Sequence, residues 1–197
     1  MAESQPLGIR QLIWLDRVVV KQKTRIGNNK YKILAPDGRV ILHAKENSSA
    51  LNHIFGGKDR SFHIDMLDQQ NQEVISLQRP FTFGPDKMEV KMNGRLLCVI
   101  RQKSTFITPV LYINDPHDRP VLKIKGPMSR TGISDFGIFA QDKSQIGVIR
   151  KIWRGMLQEM LIDSDSYEIS FPFDLDVGYK AALIGACILI DFLYYDK

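Results

Sequence analysis

Apolar and polar positions alternate along most of the chain, and the alternation has a period of two. Residues 18–26 carry Lys21, Lys23 and Arg25 on one face of such a segment. Gly27-Asn28-Asn29 interrupts it, and residues 30–34 resume it with Lys30 and Lys32. Pro36-Asp37-Gly38 is a turn, because Pro fixes φ and Gly tolerates positive φ. The pattern predicts a return strand at 39–45. Further pairs flank Asp68–Gln72, Asn93-Gly94, Asn114-Asp115-Pro116 and Asp142-Lys143. Asn-Gly is the strongest short hairpin signal among them. About ten strands at regular spacing predict an all-β barrel or sandwich. Residues 47–60 read as a loop, and residues 153–161 fit a short helix or a strand equally.

The C-terminal end differs in kind. Residues 181–190 are apolar or small without interruption, and Asp191 and Phe192-Leu193-Tyr194-Tyr195 follow. A helix over 180–195 would have no polar face, so it must be buried in protein or in lipid. Its length of about 22 Å falls short of the roughly 30 Å hydrocarbon core of a bilayer. Asp191 adds to the cost of insertion. The expectation is therefore a mostly antiparallel barrel threaded by one apolar helix, with Ala181, Leu183, Ile184, Cys187, Ile188 and Phe192 inside.

Composition narrows the class. Of 197 residues, 44% are apolar and 25% charged, which excludes disorder, collagen and coiled coil. Cys98 and Cys187 both sit in apolar runs, so neither a disulfide framework nor a four-thiolate zinc site can be built. A reduced, cytosolic setting follows. No apolar leader is read at the N-terminus, and residues 1–11 are expected to be a short tail before a domain over 12–197. Net charge is +5. Residues 161–197 hold seven acids and two bases, hence −5, which leaves +10 on residues 1–160. A basic body with an acidic end suits an anionic surface at one place and a cation at another.

Several ordered blocks carry a family likeness. Gly147-Val148-Ile149-Arg150-Lys151-Ile152-Trp153-Arg154-Gly155 is followed by Asp163-Ser164-Asp165, then by Phe171-Pro172-Phe173-Asp174-Leu175-Asp176-Val177, then by the apolar run from Lys180 to Phe192. Upstream stand Asn28-Asn29-Lys30-Tyr31, residues 72–80 and residues 121–127. Together they resemble the phospholipid scramblase family over about residues 12–195. The resemblance implies a fold similar to the Tubby C-terminal domain, a closed barrel of about twelve strands around a hydrophobic helix. It also implies calcium-responsive, ATP-independent movement of phospholipids between leaflets, at the cytoplasmic face of membranes, by a protein that is not an enzyme. The chain departs from the family in lacking the Pro-rich N-terminal region. Its loops at 46–51, 83–87 and 128–132 also hold no cysteine, so no palmitoylation cluster is present.

Three constellations carry candidate chemistry. Residues 163–174 match the family's proposed calcium segment and have the length of an EF-hand loop. Asp163, Asp165 and Asp174 take positions one, three and twelve, and Asp176 lies just beyond. Position five is Tyr167, and position six is Glu168 where Gly is wanted. The expectation is Ca²⁺ at about 10⁻⁴–10⁻³ M, against an acidic loop leading into a strand with no ion. Arg150, Lys151, Trp153 and Arg154 match the family's short nuclear import signal, read by an importin. The alternative there is a wall-packed Trp153 with solvated bases. Lys21, Lys23, Arg25, Lys30 and Lys32 form a basic face for anionic headgroups, each base adding about 1 kcal/mol near an anionic membrane. Asp135-Phe136-Gly137 has no accompanying kinase motif, and His43, His53, His63 and His117 show no ligand spacing. Two functions remain. One is scrambling by a protein that is peripheral or single-pass at its C-terminal helix. The other is a soluble or peripheral module, in cytosol or nucleus, that binds anionic lipid, protein or nucleic acid without translocating anything.

Overall fold

The computed structural model describes residues 7–25, 28–47, 61–81, 84–105, 108–127, 135–152 and 166–195. A short helix α1 (Leu7–Ile13) precedes twelve strands. These are β1 (Arg17–Arg25), β2 (Asn28–Leu34), β3 (Val40–Glu46), β4 (Phe62–Leu67), β5 (Glu73–Arg79) and β6 (Lys87–Met92), then β7 (Arg95–Lys103), β8 (Val110–Asn114), β9 (Pro120–Lys125), β10 (Asp135–Phe139), β11 (Gln145–Ile152) and β12 (Ser166–Ser170). Each strand pairs antiparallel with its sequence neighbours, and β12 returns to β1, which closes the barrel. Helix α2 (Val177–Ile190) and a π-helical turn, Asp191–Tyr195, complete the chain.

The expected barrel and plug are both present. Alternation sets the wall: in β4, Phe62, Ile64 and Met66 are buried, while His63, Asp65 and Leu67 are half-exposed. Asn93 and Gly94 turn β6 into β7 with φ of 50° and 75°, the type I′ geometry that Asn-Gly favours. Closure leaves no unpaired sheet edge. The segments read from alternation correspond to β1 to β11, and the count of twelve is the one the family resemblance implies. The twelfth, β12, lies in the acidic segment, where an acidic loop leading into a strand was the alternative to a calcium site.

From Lys180 onward, helix α2 is closed off from solvent all round. The apolar residues from Ala181 to Ile190 are at most 1% exposed, Gly185 is buried, and Lys180 is at 0%. A Cβ at Gly185 would lie 3.1 Å from Leu77 Cδ2 and 3.4 Å from Ile100 Cδ1 and Met88 Cε. The helix axis thus approaches the β5–β7 wall as closely as a bare backbone allows. The plug is longer than expected. Val177–Tyr195 is 19 residues, long and apolar enough to cross a membrane by length and composition. At 1.5 Å per residue it spans about 28 Å. Length therefore does not separate the two environments, and burial inside the barrel does. The N-terminal tail also proves structural from residue 7, since Ile9 and Leu12 of α1 are buried in the same core.

Candidate functional site

The two ends of the plug carry charge, and the barrel satisfies both. At the start, Lys180 Nζ donates to the carbonyls of Leu12 (3.1 Å), Ile13 (3.2 Å), Leu15 (2.8 Å) and Phe173 (2.7 Å). Three protons are shared among four acceptors. Two of those acceptors end α1, where carbonyls lack intrahelical partners. The rings of Phe171 and Phe173 lie 5.3 and 5.5 Å from the ammonium. Burial lowers the Lys180 pKa, and the charges of Asp16, Asp174 and Asp176 oppose that shift.

At the far end, Asp191 is 2% exposed. Tyr167 Oη donates to its Oδ1 at 2.7 Å and Tyr31 Oη to its Oδ2 at 3.1 Å. Burial, then the Asp191 charge, pushes the Tyr167 hydroxyl far above its ordinary value. Lys151 Nζ sits 4.0 Å from the Tyr195 ring centre and 5.3 Å from that of Tyr167. Beside this group Arg79 is buried against Asp86, its Nε donating at 2.7 Å, with the guanidinium 4.8 Å from the Phe192 ring. Burial also raises both thiols, Cys98 to about 12 and Cys187 well above its ordinary value. Inert, protonated thiols are the consequence.

The basic run at the end of β11 is split by the sheet. Arg150 faces out, with bidentate contacts to Asp135 of 2.7–3.1 Å. Lys151 faces in and is 4% exposed. Solvated bases were expected on both, and the pleat forbids it, since neighbours on a strand point to opposite faces. Trp153 and Arg154 lie outside the described residues.

The acidic segment is a strand over five of its residues. β12 places Tyr167 inside and Glu168 on the outer face, opposite Val19 and Arg150. Asp174 is exposed, and Asp176 is the N-cap of α2, its Oδ1 accepting from Gly178 N at 2.8 Å. Among the described residues no group of three or more His, Cys, Asp or Glu is placed to hold a metal. Glu168, Asp174 and Asp176 thus do not fit a calcium ion as a set. Asp163 and Asp165 lie outside the described residues.

The basic face is broader than expected. Lys21 is directly opposite Lys32, and Lys32 opposite His43. One row along, Lys23 is opposite Lys30, and Lys30 opposite Lys45, which meets Asp65 on β4. Like charges placed directly across strands destabilise a sheet. Lys32 and Lys45 are exposed. Arg25 holds the strand end opposite Asn28. Lys45 and His43 were missed because their partners are set by register, although both stand on the outer parity of a strand the alternation had located.

The described residues thus form a closed antiparallel barrel plugged by its own C-terminal helix, with a basic outer wall. The chain belongs to the scramblase family: the family model named Scramblase matches residues 1–197. It is 32% identical over 212 residues to "Phospholipid scramblase 1" of Homo sapiens, covering 98% of this chain and 67% of that protein. It is 31% identical to "Phospholipid scramblase 2" of Bos taurus, covering 97% and 72%. It is 30% identical to "Phospholipid scramblase family member 5" of Homo sapiens, covering 98% and 79%. A crystal structure of an Arabidopsis thaliana protein aligns over 95% of this chain and 99% of its own, with TM-score 0.55 and 15% identity, which speaks for the fold alone.

Proposed function

We propose that the protein binds the cytoplasmic face of anionic membranes through its barrel wall and promotes calcium-responsive, ATP-independent phospholipid movement with α2 kept inside the barrel. The observation that carries this reading is the register of β1–β3, which sets Lys21 opposite Lys32 and Lys23 and Lys45 opposite Lys30, a concentration of basic positions that suits anionic headgroups. Kinship with phospholipid scramblases supplies the activity. The plugged barrel offers no lipid path through itself, so headgroup movement is assigned to disturbance of the bilayer at the wall. Calcium belongs to the proposal as a weak ligand centred on Asp163 and Asp165, and no calcium-dependent step is assigned to the described carboxylates. An importin reading of residues 150–154 is not carried further, because Lys151 is inside the barrel.

The test is reconstitution with fluorescent lipid reporters in vesicles of stated composition. Binding to vesicles containing phosphatidylserine should fall steeply from low to physiological salt. Lys21→Ser with Lys32→Ser and Lys45→Ser should abolish both binding and calcium-stimulated lipid movement. Equal binding to neutral vesicles, or binding without any lipid movement at millimolar calcium, would leave only the binding module.

A further inference from the structure

Across the barrel from the lysine ladder lies a second basic face, and it is built differently. Lys123 of β9 stands directly opposite Tyr112 of β8 on one side and Phe139 of β10 on the other. Strands are about 4.8 Å apart, so the two aromatic positions are about 10 Å apart with a cation between them. One row along, Lys125 is opposite Val110 and Gly137, and Val110 is opposite Lys103. Lys143 sits in the turn that follows β10, its backbone N–H donating to Ala140 O. Tyr112, Lys123 and Phe139 are half-exposed, and Lys103, Lys125 and Lys143 are exposed.

Two observations point to a planar, anionic ligand. The first is charge. Arg101, Arg119 and Arg150 on the neighbouring wall are each paired with an aspartate. Among the described residues, none of the four lysines around the aromatic pair has an ion-pair partner. The second is the posture of Phe139. A Cβ at Gly137 would lie only 2.8 Å from its Cε2 and 3.0 Å from its Cζ. The ring is thus folded along the strand over a backbone that has no side chain. A ring that lies along the sheet offers a face. An aromatic that inserts into a bilayer stands out from the surface, as Phe139 does not.

We propose that the outer face of β8–β10 is a platform for single-stranded nucleic acid. Tyr112 and Phe139 stack bases, and Lys103, Lys123, Lys125 and Lys143 meet phosphates. Sheet-borne aromatics flanked by cations hold unpaired bases in this way, with little sequence preference because every base has a π-face. β8 is six strands from β2 in either direction round the barrel, so this face is separate from the ladder proposed to meet lipid.

The test uses the full chain with fluorescein-labelled oligothymidylate and oligouridylate, read by anisotropy. Log affinity should fall with log salt at a slope of about −2 to −3, the value for three or four phosphates on a single strand. Tyr112→Leu and Phe139→Leu should each weaken binding about tenfold, since each removes a stacking ring and keeps apolar bulk. Lys123→Gln with Lys125→Gln should reduce the slope by about 1.4. Binding to phosphatidylserine vesicles should be unchanged in the leucine variants. No binding at about 50 mM salt would overturn the proposal. So would leucine variants that bind as the parent does, which would make the face a mere charge, or leucine variants that lose vesicles and keep the oligonucleotide, which would make it a membrane surface. If a leucine variant does not fold, photocrosslinking of a 5-iodouridine oligonucleotide to the parent decides. Adducts on β8–β10 support the platform, and adducts only elsewhere overturn it.

Discussion

The two ends of α2 solve one problem by opposite means. Lys180 is held by four backbone carbonyls, three of them from residues 12–15 and one from the approach to the helix. Asp191 is held by two side-chain hydroxyls from β2 and β12, more than twenty residues away in each case. The first end uses polar groups that the backbone must satisfy in any fold. The second uses groups chosen for one carboxylate. In lipid neither charge would have these partners, and a buried charge without partners costs several kcal/mol. The pair of ends is thus an argument about where the helix lives, independent of its length.

The largest test of that argument breaks the middle, where neither end helps. Leu183 is fully buried. Leu183→Asp places an unpaired carboxylate in the barrel core and should abolish soluble expression. A soluble Leu183→Asp variant with the parent's melting temperature would show that α2 is not the core.

Next come the ends themselves. Asp191→Ala strands two buried hydroxyls and should cost about 2–5 kcal/mol in urea unfolding. Adding Tyr31→Phe and Tyr167→Phe should restore part of that loss, because those two hydroxyls are then no longer left without the carboxylate. Lys180→Met should cost less, about 1–3 kcal/mol, since three of its four acceptors are only part-buried and can take water. The reverse ranking would make the carbonyl cage the stronger anchor.

These partners were the least legible part of the sequence. The apolar run announced a buried helix, and the period of two announced the wall that hides it. Nothing in the run said what would meet its charges, because Tyr31 is 160 residues from Asp191 and Leu12 is 168 from Lys180. Lys151 was legible and misread. Ile149 is fully buried, and the pleat puts Lys151 on the same side. Four basic or aromatic residues among the five from Arg150 to Arg154 drew attention to composition and away from parity. Tyr167 is a like case, sharing the inward face with Ile169. Read as loop position five of a calcium site, it is instead half of the clamp on Asp191.

Alkaline pH should sharpen the contrast between interior and wall. The Tyr167 hydroxyl and the Cys98 and Cys187 thiols all have raised pKa values from burial. The unfolded chain loses these protons first, near pH 8.5 for Cys and 10 for Tyr. Stability is therefore full below about pH 8.5 and falls as pH rises, by about 1.4 kcal/mol per pH unit for each group ionised only in the unfolded state. Lys180, whose pKa is lowered, contributes in the opposite direction. Urea midpoints from pH 8 to 11 should fall in the parent and fall less steeply in Cys187→Ala. Parallel profiles would mean that Cys187 is not held neutral.

The smallest expected effect belongs to the acidic segment. If the segment binds as proposed, about 10 mM Ca²⁺, at a tenfold excess over the dissociation constant, should stabilise by about 1.4 kcal/mol and raise Tm by about two to four degrees. Asp163→Ala with Asp165→Ala should remove the shift, and Mg²⁺ should give less. An equal shift in both proteins would place the ion elsewhere.

The central claim is that α2 stays inside the barrel when the protein works on a membrane. Photolabelling from within the bilayer tests it most directly, with a phosphatidylserine vesicle carrying a lipid-tail photoprobe, with and without calcium, and adducts mapped by mass spectrometry. The account predicts adducts on the outer wall and none between Ala181 and Ile190 in either condition. Adducts within that stretch, appearing as the Asp191–tyrosine clamp opens, would contradict it and put the helix in lipid.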